Sequence, residues 1–158
     1  MQIPSGKKIY FISDSHLGAP DYASSLEREK LLVRFLDEIK NDAAIIFMLG
    51  DLFDFWYEYK KVVPKGFVRI LGKLAELTDR GVAIHFFVGN HDMWMSGYFE
   101  KELNIDVFHN PLEFEFNGKQ FLIGHGDGLG PGDHRYKFIK KIFRNKISQF
   151  LFGTLHPS

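Results

Sequence analysis

The chain has 158 residues, in which 20 Lys and Arg balance 20 Asp and Glu and 45% of the side chains are apolar. That length and apolar content suit a folded domain with a real core and exclude a disordered or highly charged tail. A net charge of zero gives no global attraction for nucleic acid, and the absence of cysteine excludes disulfides and thiolate zinc sites.

Lys8–Ile12 reads as a first strand, apolar enough to be buried on both faces. Its apolar run Ile9–Ile12 follows Lys7 and Lys8 and is too short, and too soon interrupted by Asp14, to be a signal-peptide core. Residues 14–21 form a loop. Leu26, Leu31, Leu32, Phe35, Leu36 and Ile39 recur at helical spacing, which predicts a helix over Tyr22–Asn41. Ala43–Leu49 is a second buried strand, stopped by Gly50 and far too short to span a bilayer. Phe67, Ile70, Leu71, Leu74 and Leu77 mark a second helix, ended by Gly81. Val82–Val88 is a third strand, stopped by Gly89. This β-α-β-α-β order predicts an α/β fold with a parallel sheet and right-handed crossovers.

The pattern then changes. Leu112–Phe116, Asn117-Gly118 and Lys119–Ile123 predict a hairpin on a type I′ turn. Asp133–Phe152 predicts a helix with an unusual balance: six basic residues (Arg135, Lys137, Lys140, Lys141, Arg144, Lys146) against one acid, Asp133, a net of +5. Its stripe of Phe138, Ile139, Ile142, Phe143, Ile147, Phe150, Leu151 and Phe152 suits a lipid or membrane surface. A packed helix with a solvated basic face is the plainer alternative.

Four short motifs stand where strands end, the edge at which open α/β sheets bind ligands. Asp14-Ser15-His16 sets two metal-binding side chains two residues apart, so in an extended loop both reach one ion. Gly50-Asp51 offers a carboxylate able to bridge two ions with its two oxygens, and Asp54 stands ready to orient a ligand. In Gly89-Asn90-His91-Asp92 the Asn90 carbonyl suits a metal. His91, diverging from it, suits substrate as a proton donor or phosphate partner, with Asp92 holding the imidazole in one tautomer. Gly124-His125-Gly126-Asp127 exposes His125 between glycines. Each motif alone also fits a polar turn or a helix cap; four in one order predict a hard-donor site for a cation pair. His85 reads as a core or interface residue, and His109 and His134 as surface residues.

The motifs Asp14-x-His16, Gly50-Asp51-x-x-Asp54, Gly89-Asn90-His91-Asp92 and Gly124-His125-Gly126-Asp127 resemble the calcineurin-like metallophosphoesterase superfamily. The resemblance implies an αββα sandwich with a dinuclear edge site. Asp14 and His16 would hold one ion, Asp51 both, and Asn90 and His125 the other. Phe11–Leu17, Gly50–Trp56 and His125-Gly126-Asp127 with Asp133 and Tyr136 are similar, more closely, to the UDP-2,3-diacylglucosamine hydrolases of lipid A synthesis. That family implies pyrophosphate cleavage of a lipid-linked UDP-sugar, with release of UMP and 2,3-diacylglucosamine 1-phosphate. It also implies two divalent ions, usually Mn2+, in a cytoplasmic enzyme peripheral on the inner membrane. Substrate contacts would come from Asn90, Trp56, Asp133 and Tyr136, with residues 133–152 as a cap over the acyl chains of a domain spanning 1–158.

The chain departs from that family in two ways. Many members carry Arg where His91 stands, and the final Gly-His-x-His motif is missing; His156 lacks its strand and glycine context. A C-terminally truncated chain with an incomplete second sheet is therefore expected. Its alternatives are another phosphoesterase, for nucleotides or phosphoproteins, or a non-catalytic fragment.

Overall fold

Apolar runs alternate with amphipathic stretches through the first hundred residues, and each run is long enough to cross a sheet once. The computed structural model describes residues 1–59, 61–127, 142–143 and 145–155. Strands β1 (Lys8–Ile12), β2 (Ala43–Met48), β3 (Ala83–Phe87) and β4 (Asp106–Phe108) form a parallel sheet in the order 1-2-3-4. Helices α1 (Tyr22–Ile39), α2 (Val68–Asp79) and α3 (Tyr98–Leu103) make the connections. Strands β5 (Leu112–Phe116) and β6 (Lys119–Ile123) form the antiparallel hairpin, with Asn117 at φ 51° and Gly118 at φ 76° as a type I′ turn requires.

The period of two along β2 and β3 divides the core. Ile46, Met48, Ile84 and Phe86 face the helices and meet Leu36, Ile39, Ile70, Leu74, Leu77 and Phe99. Ile45, Phe47 and Phe87 face the other way and meet Phe116 and Ile123 of the hairpin. Phe47 is the hub of that second layer, in ring contact with Phe11, Phe87, Phe114 and Phe116. Helices, parallel sheet and second sheet are thus stacked, and among the described residues the second sheet has two strands. His85 lies in this layer, among Phe47, Phe108 and Phe114, 3.3 Å from Asp106.

The expected strands and helices before the hairpin, and the hairpin itself, are present, but β1, expected to be buried on both faces, is an edge strand of the described sheet with no fully buried residue and Phe11 48% exposed. Helix α1 stops at Ile39 with Lys40 as its cap, and α3 and β4 were not anticipated. Of the expected helix over 133–152, residues 142–143 and 145–152 are described, and the single helix is corrected: Asn145 takes an extended conformation (φ -71°, ψ 129°) and caps a new helix, α4 (Lys146–Gly153), its side chain accepting from the Ile147 amide at 2.8 Å. Among the described residues no helix is long and apolar enough to cross a membrane.

Candidate metal centre

The strand ends converge because the loops that follow them are laced together. Backbone amides of Asp14, His16 and Leu17 donate to the carbonyls of Gly50, Asp51 and Leu52 at 3.1, 2.9 and 2.9 Å, and the Asp54 amide donates back to Leu17 at 2.9 Å. Loops β1–α1 and β2–α2 therefore continue the sheet beyond its last regular pair. Asp14, His16 and Asp51 take left-handed backbone conformations, with φ of 54°, 42° and 53°. Such conformations cost on the order of 1 kcal/mol or more each. The neighbours Leu17, Leu52 and Phe53 are fully buried, and each contributes about 1.5–3 kcal/mol of burial that holds the strained loops in place.

Glycine lets the tips of β2 and β3 touch. A Cβ on Gly50 would stand 2.6 Å from the Gly89 amide nitrogen and 2.9 Å from His125 Nδ1, and a Cβ on Gly89 would collide with the Asp51 carboxylate. No other residue fits either place without moving the backbone.

Into this space project the five side chains expected as ligands. His16 Nε2 lies 4.0 Å from Asp14 Oδ1 and 3.8 Å from Asp51 Oδ2. His125 Nε2 lies 3.4 Å from Asp51 Oδ2 and 3.3 Å from Asn90 Oδ1. One oxygen, Asp51 Oδ2, thus faces both halves, while Asp51 Oδ1 accepts the His91 amide at 2.9 Å. Were a cation pair bound, Oδ2 rather than both oxygens would be the atom placed toward both imidazoles. Donors around a cation with bonds of 2.0–2.2 Å stand roughly 2.9–3.6 Å from one another. The Asp51–Asn90–His125 half already has that spacing, and the Asp14–His16–Asp51 half needs to contract by a few tenths of an ångström. Three oxygens and two imidazoles, in a chain without thiols, fit hard or borderline divalent ions.

The imidazoles are oriented from behind. His125 Nδ1 lies 2.7 Å from the Leu49 carbonyl. A carbonyl only accepts, so Nδ1 carries the proton and Nε2 is turned to the site. The Asp51 hydrogen bond raises the His125 pKa to about 9, against burial, with help from the Leu49 bond and the charges of Asp51 and Asp127. Burial pushes the Asp51 carboxyl up, but the His125 bond, the His91 amide and the two histidine charges bring it below the usual range. Without metal, a proton on His125 occupies the side of Asp51 where a cation would bind.

His91 stands beside this cluster, its ring edge-on to His16 with centroids 4.7 Å apart. Its Nδ1 lies 2.9 Å from the Asp54 carbonyl and 3.4 Å from Asp54 Oδ1, and Asp54 Oδ1 is also 3.5 Å from His16 Nδ1. Asp54 therefore has the orienting place expected of Asp92, and the Asp92 expectation is corrected. Asp92 is fully buried. Its carboxylate accepts the amides of Gly89, Leu52, Asp51 and Phe53 at 2.8, 2.9, 3.3 and 3.4 Å, knitting the second and third loops. Burial pushes its carboxyl up to about 6, assisted by the Asp51 charge and opposed by the Gly89, Phe53 and Asp51 amides.

Trp56 is corrected as well. It is fully buried, stacked on Phe53 and edge-on to Phe99, with its indole N–H on Glu58 at 3.1 Å, so it cannot meet a substrate. Asp133 and Tyr136 lie outside the described residues, as do His134 and His156. Apolar side chains that the motifs did not reveal flank the centre instead. Phe55, Met93, Trp94 and Phe143 line a cleft of about 160 Å³ that opens on Asn90, His91 and Asp54. Helix α4 packs on two of these side chains, with Phe152 against Phe55 and Trp94 as well as Tyr57. Tyr57 donates to Gln149 and Trp94 to Phe143 through their polar tips, at 2.9 and 2.7 Å.

Parallel strands with carboxylate, amide and imidazole donors gathered at one carboxyl edge define a metal-dependent phosphoesterase architecture. The chain belongs to the calcineurin-like phosphoesterase family, which it matches over residues 7–152. It is 44% identical over 95% of its length to a UDP-2,3-diacylglucosamine hydrolase of Porphyromonas gingivalis. It is 34% identical over 94% of its length to one from Neisseria meningitidis serogroup B, and 33% identical over 92% to one from Aeromonas salmonicida. The chain spans 58%, 60% and 55% of the length of these curated relatives. Among solved structures, a protein of unknown function from Aquifex aeolicus shares the fold, with a TM-score of 0.53 at 22% identity, covering 86% of this chain and 69% of that one.

Proposed function

We propose that this chain carries the metal-binding part of a pyrophosphatase that hydrolyses UDP-2,3-diacylglucosamine, releasing UMP and 2,3-diacylglucosamine 1-phosphate. The observation that carries the reading is the joint one: five donors meet at one strand edge in a chain 44% identical to a hydrolase of that name. Asp14, His16 and Asp51 are assigned to one divalent ion and Asp51, Asn90 and His125 to a second. When bound, such ions supply Lewis-acid stabilisation of phosphoryl charge and activation of water.

The chain's own residues do the rest. Asp54 and Leu49 fix the tautomers of His91 and His125 through their backbone carbonyls. With Nδ1 committed to Asp54, His91 offers Nε2 to a phosphoryl oxygen as a hydrogen-bond partner or proton donor. A sugar 1-phosphate is already a weak base, so its departure needs little protonation. His91 therefore serves mainly to place the phosphate. Asn90 turns its carbonyl oxygen to the His125 side, leaving its amide group to donate to substrate.

The apolar cleft beside His91 suits a substrate with hydrocarbon next to its pyrophosphate. Ile147, Phe150 and Leu151 of α4 are largely exposed, beside Lys146, which suits the surface of an anionic membrane. We assign manganese as the resident metal and the cytoplasmic face of the inner membrane as the place of work. The oxygen-rich donor set supports the first assignment and the α4 surface the second.

The test is UMP release with Mn2+ from acylated and from unacylated UDP-glucosamine. Hydrolysis confined to the acylated substrate is expected. Equal rates on both would point to a nucleotide phosphoesterase, and hydrolysis of neither would overturn the reading for this chain.

A further inference from the structure

The loop that carries Asp14 and His16 has two flanks, and only one is accounted for by the sheet. Its amides at Asp14, His16 and Leu17 are bonded to the β2–α2 loop. The Leu17 carbonyl faces that loop too, but the carbonyls of Ser15, His16 and Ala19 turn the other way, toward α1. There Arg28 inserts its guanidinium among them. Nε donates to Ser15 O at 3.1 Å, and one terminal nitrogen donates to His16 O at 2.8 Å and also to Ala19 O. One turn earlier on the same helix face, Ser25, buried, accepts the Gly18 amide on its hydroxyl at 2.7 Å. Asp14 and His16, meanwhile, hold left-handed conformations that a side chain rarely adopts unless its surroundings impose them.

We propose that Arg28 is a positioning residue for the first metal pair: by gathering the carbonyls of Ser15, His16 and Ala19 it holds the loop in the conformation that aims Asp14 and His16 at one cation. The inference rests on the metal-centre reading above. It is specific to a guanidinium. A planar fork meets several carbonyls at fixed angles, whereas an ammonium is a compact point charge that can follow only one or two.

The sign of the effect separates positioning from simple electrostatics. Arg28 lines the same open cleft as Asp14, Ser15, His16 and Asp54. As a bare positive charge near a cation site it would weaken metal binding, so its removal would tighten it. As a clamp it strengthens binding, and its removal costs affinity. Losses of about 10- to 100-fold follow when groups behind a metal ligand are removed.

The experiment is calorimetric titration of the full 158-residue chain with Mn2+, with the EPR spectrum of bound Mn2+ as a second readout. Arg28→Ala is expected to weaken the Asp14–His16 binding event by about 10- to 100-fold while leaving the Asp51–Asn90–His125 event within about threefold. Millimolar guanidinium, below denaturing levels, is expected to restore part of the loss, and Arg28→Lys to restore less. Should Arg28→Ala not fold, Arg28→Lys carries the same comparison. Unchanged or tighter Mn2+ binding in a folded variant overturns the proposal, as does equal weakening of both events. Asp51→Ala separates the two readings. If it abolishes Mn2+ binding while Arg28→Ala has no effect, only the Arg28 inference fails; if neither changes Mn2+ binding, the metal centre itself fails.

Discussion

The two halves of the candidate metal centre share Asp51 but are built differently. Asp51 and His125 are buried, at 4% and 9% side-chain exposure, and their donors already stand at coordination spacing. Asp14 and His16 are open, at 57% and 35%, and lie several tenths of an ångström wider. The buried half is held by the sheet: β2 and β3 touch through Gly50 and Gly89, and the Leu49 carbonyl fixes the His125 ring. The open half is held by a strained loop, laced to its neighbour on one side and clamped by Arg28 on the other. One half is thus preorganised by packing and the other by hydrogen bonds to a loop. The second kind of site is the easier to loosen, and the more easily completed by the ion itself.

The largest expected effect breaks both halves at once. Asp51→Ala removes the oxygen that faces both imidazoles, and turnover is expected to fall by about 10³-fold or more, with Mn2+ affinity lost in calorimetry. His91→Ala, outside the donor set, is expected to lower turnover by about 10- to 100-fold with Mn2+ affinity nearly unchanged. Comparable losses of turnover in both variants under saturating Mn2+ would contradict the division between metal holding and phosphate placing.

A smaller effect tests what fastens the buried half. Asp92→Asn exchanges one carboxylate oxygen for an amide group that faces backbone N–H donors. Two of the four bonds that tie Gly89 to residues 51–53 are lost, and buried donors are left opposed. Destabilisation of about 2–4 kcal/mol is expected, read as a melting temperature lower by about 5–10 °C. If Asp92 instead oriented His91, the variant would melt normally and lose turnover alone.

Much of this was legible in the chain. Strand ends are announced by glycine after an apolar run, and the hairpin by Asn117-Gly118, because each is a local steric requirement. The five candidate donors stand out in the chain because side chains of metal-binding type recur at those ends. What escaped notice depends on tertiary contact. Helix α3 and strand β4, six and three residues long, are too short to establish a period, and β4 is defined by pairing with β3. Asp92 was misread because adjacency suggested a partnership. The rule that turns His91 away from Asn90 also turns Asp92 away from His91. Trp56 sits three residues beyond Phe53, and the two stack inward together, which a motif read as a string cannot tell. Arg28 gave a faint signal: with Ser25 and Glu29 it puts polar groups on a helix face turned to the protein, and that spacing has meaning only when the loop lies against it.

The smallest effect sharpens the contrast through the proton that His125 holds without metal. Its folded pKa, raised to about 9 chiefly by the Asp51 bond, exceeds the ordinary value of 6.5. Between those values the folded chain keeps a proton that the unfolded chain has released. The contribution is therefore complete below pH 6.5 and is lost as the pH rises through 9, on the order of 2 kcal/mol. In EDTA the melting temperature is expected to fall by about 4–8 °C between pH 6.5 and 9.5, and His125→Gln to remove most of that slope. Saturating Mn2+ reverses the dependence, because the ion takes the proton's place and binds better as the proton becomes easier to remove. A slope unchanged in His125→Gln would mean that the buried half is not held by its ion pair, and the contrast between the halves would then rest on the glycine contact of β2 and β3 alone.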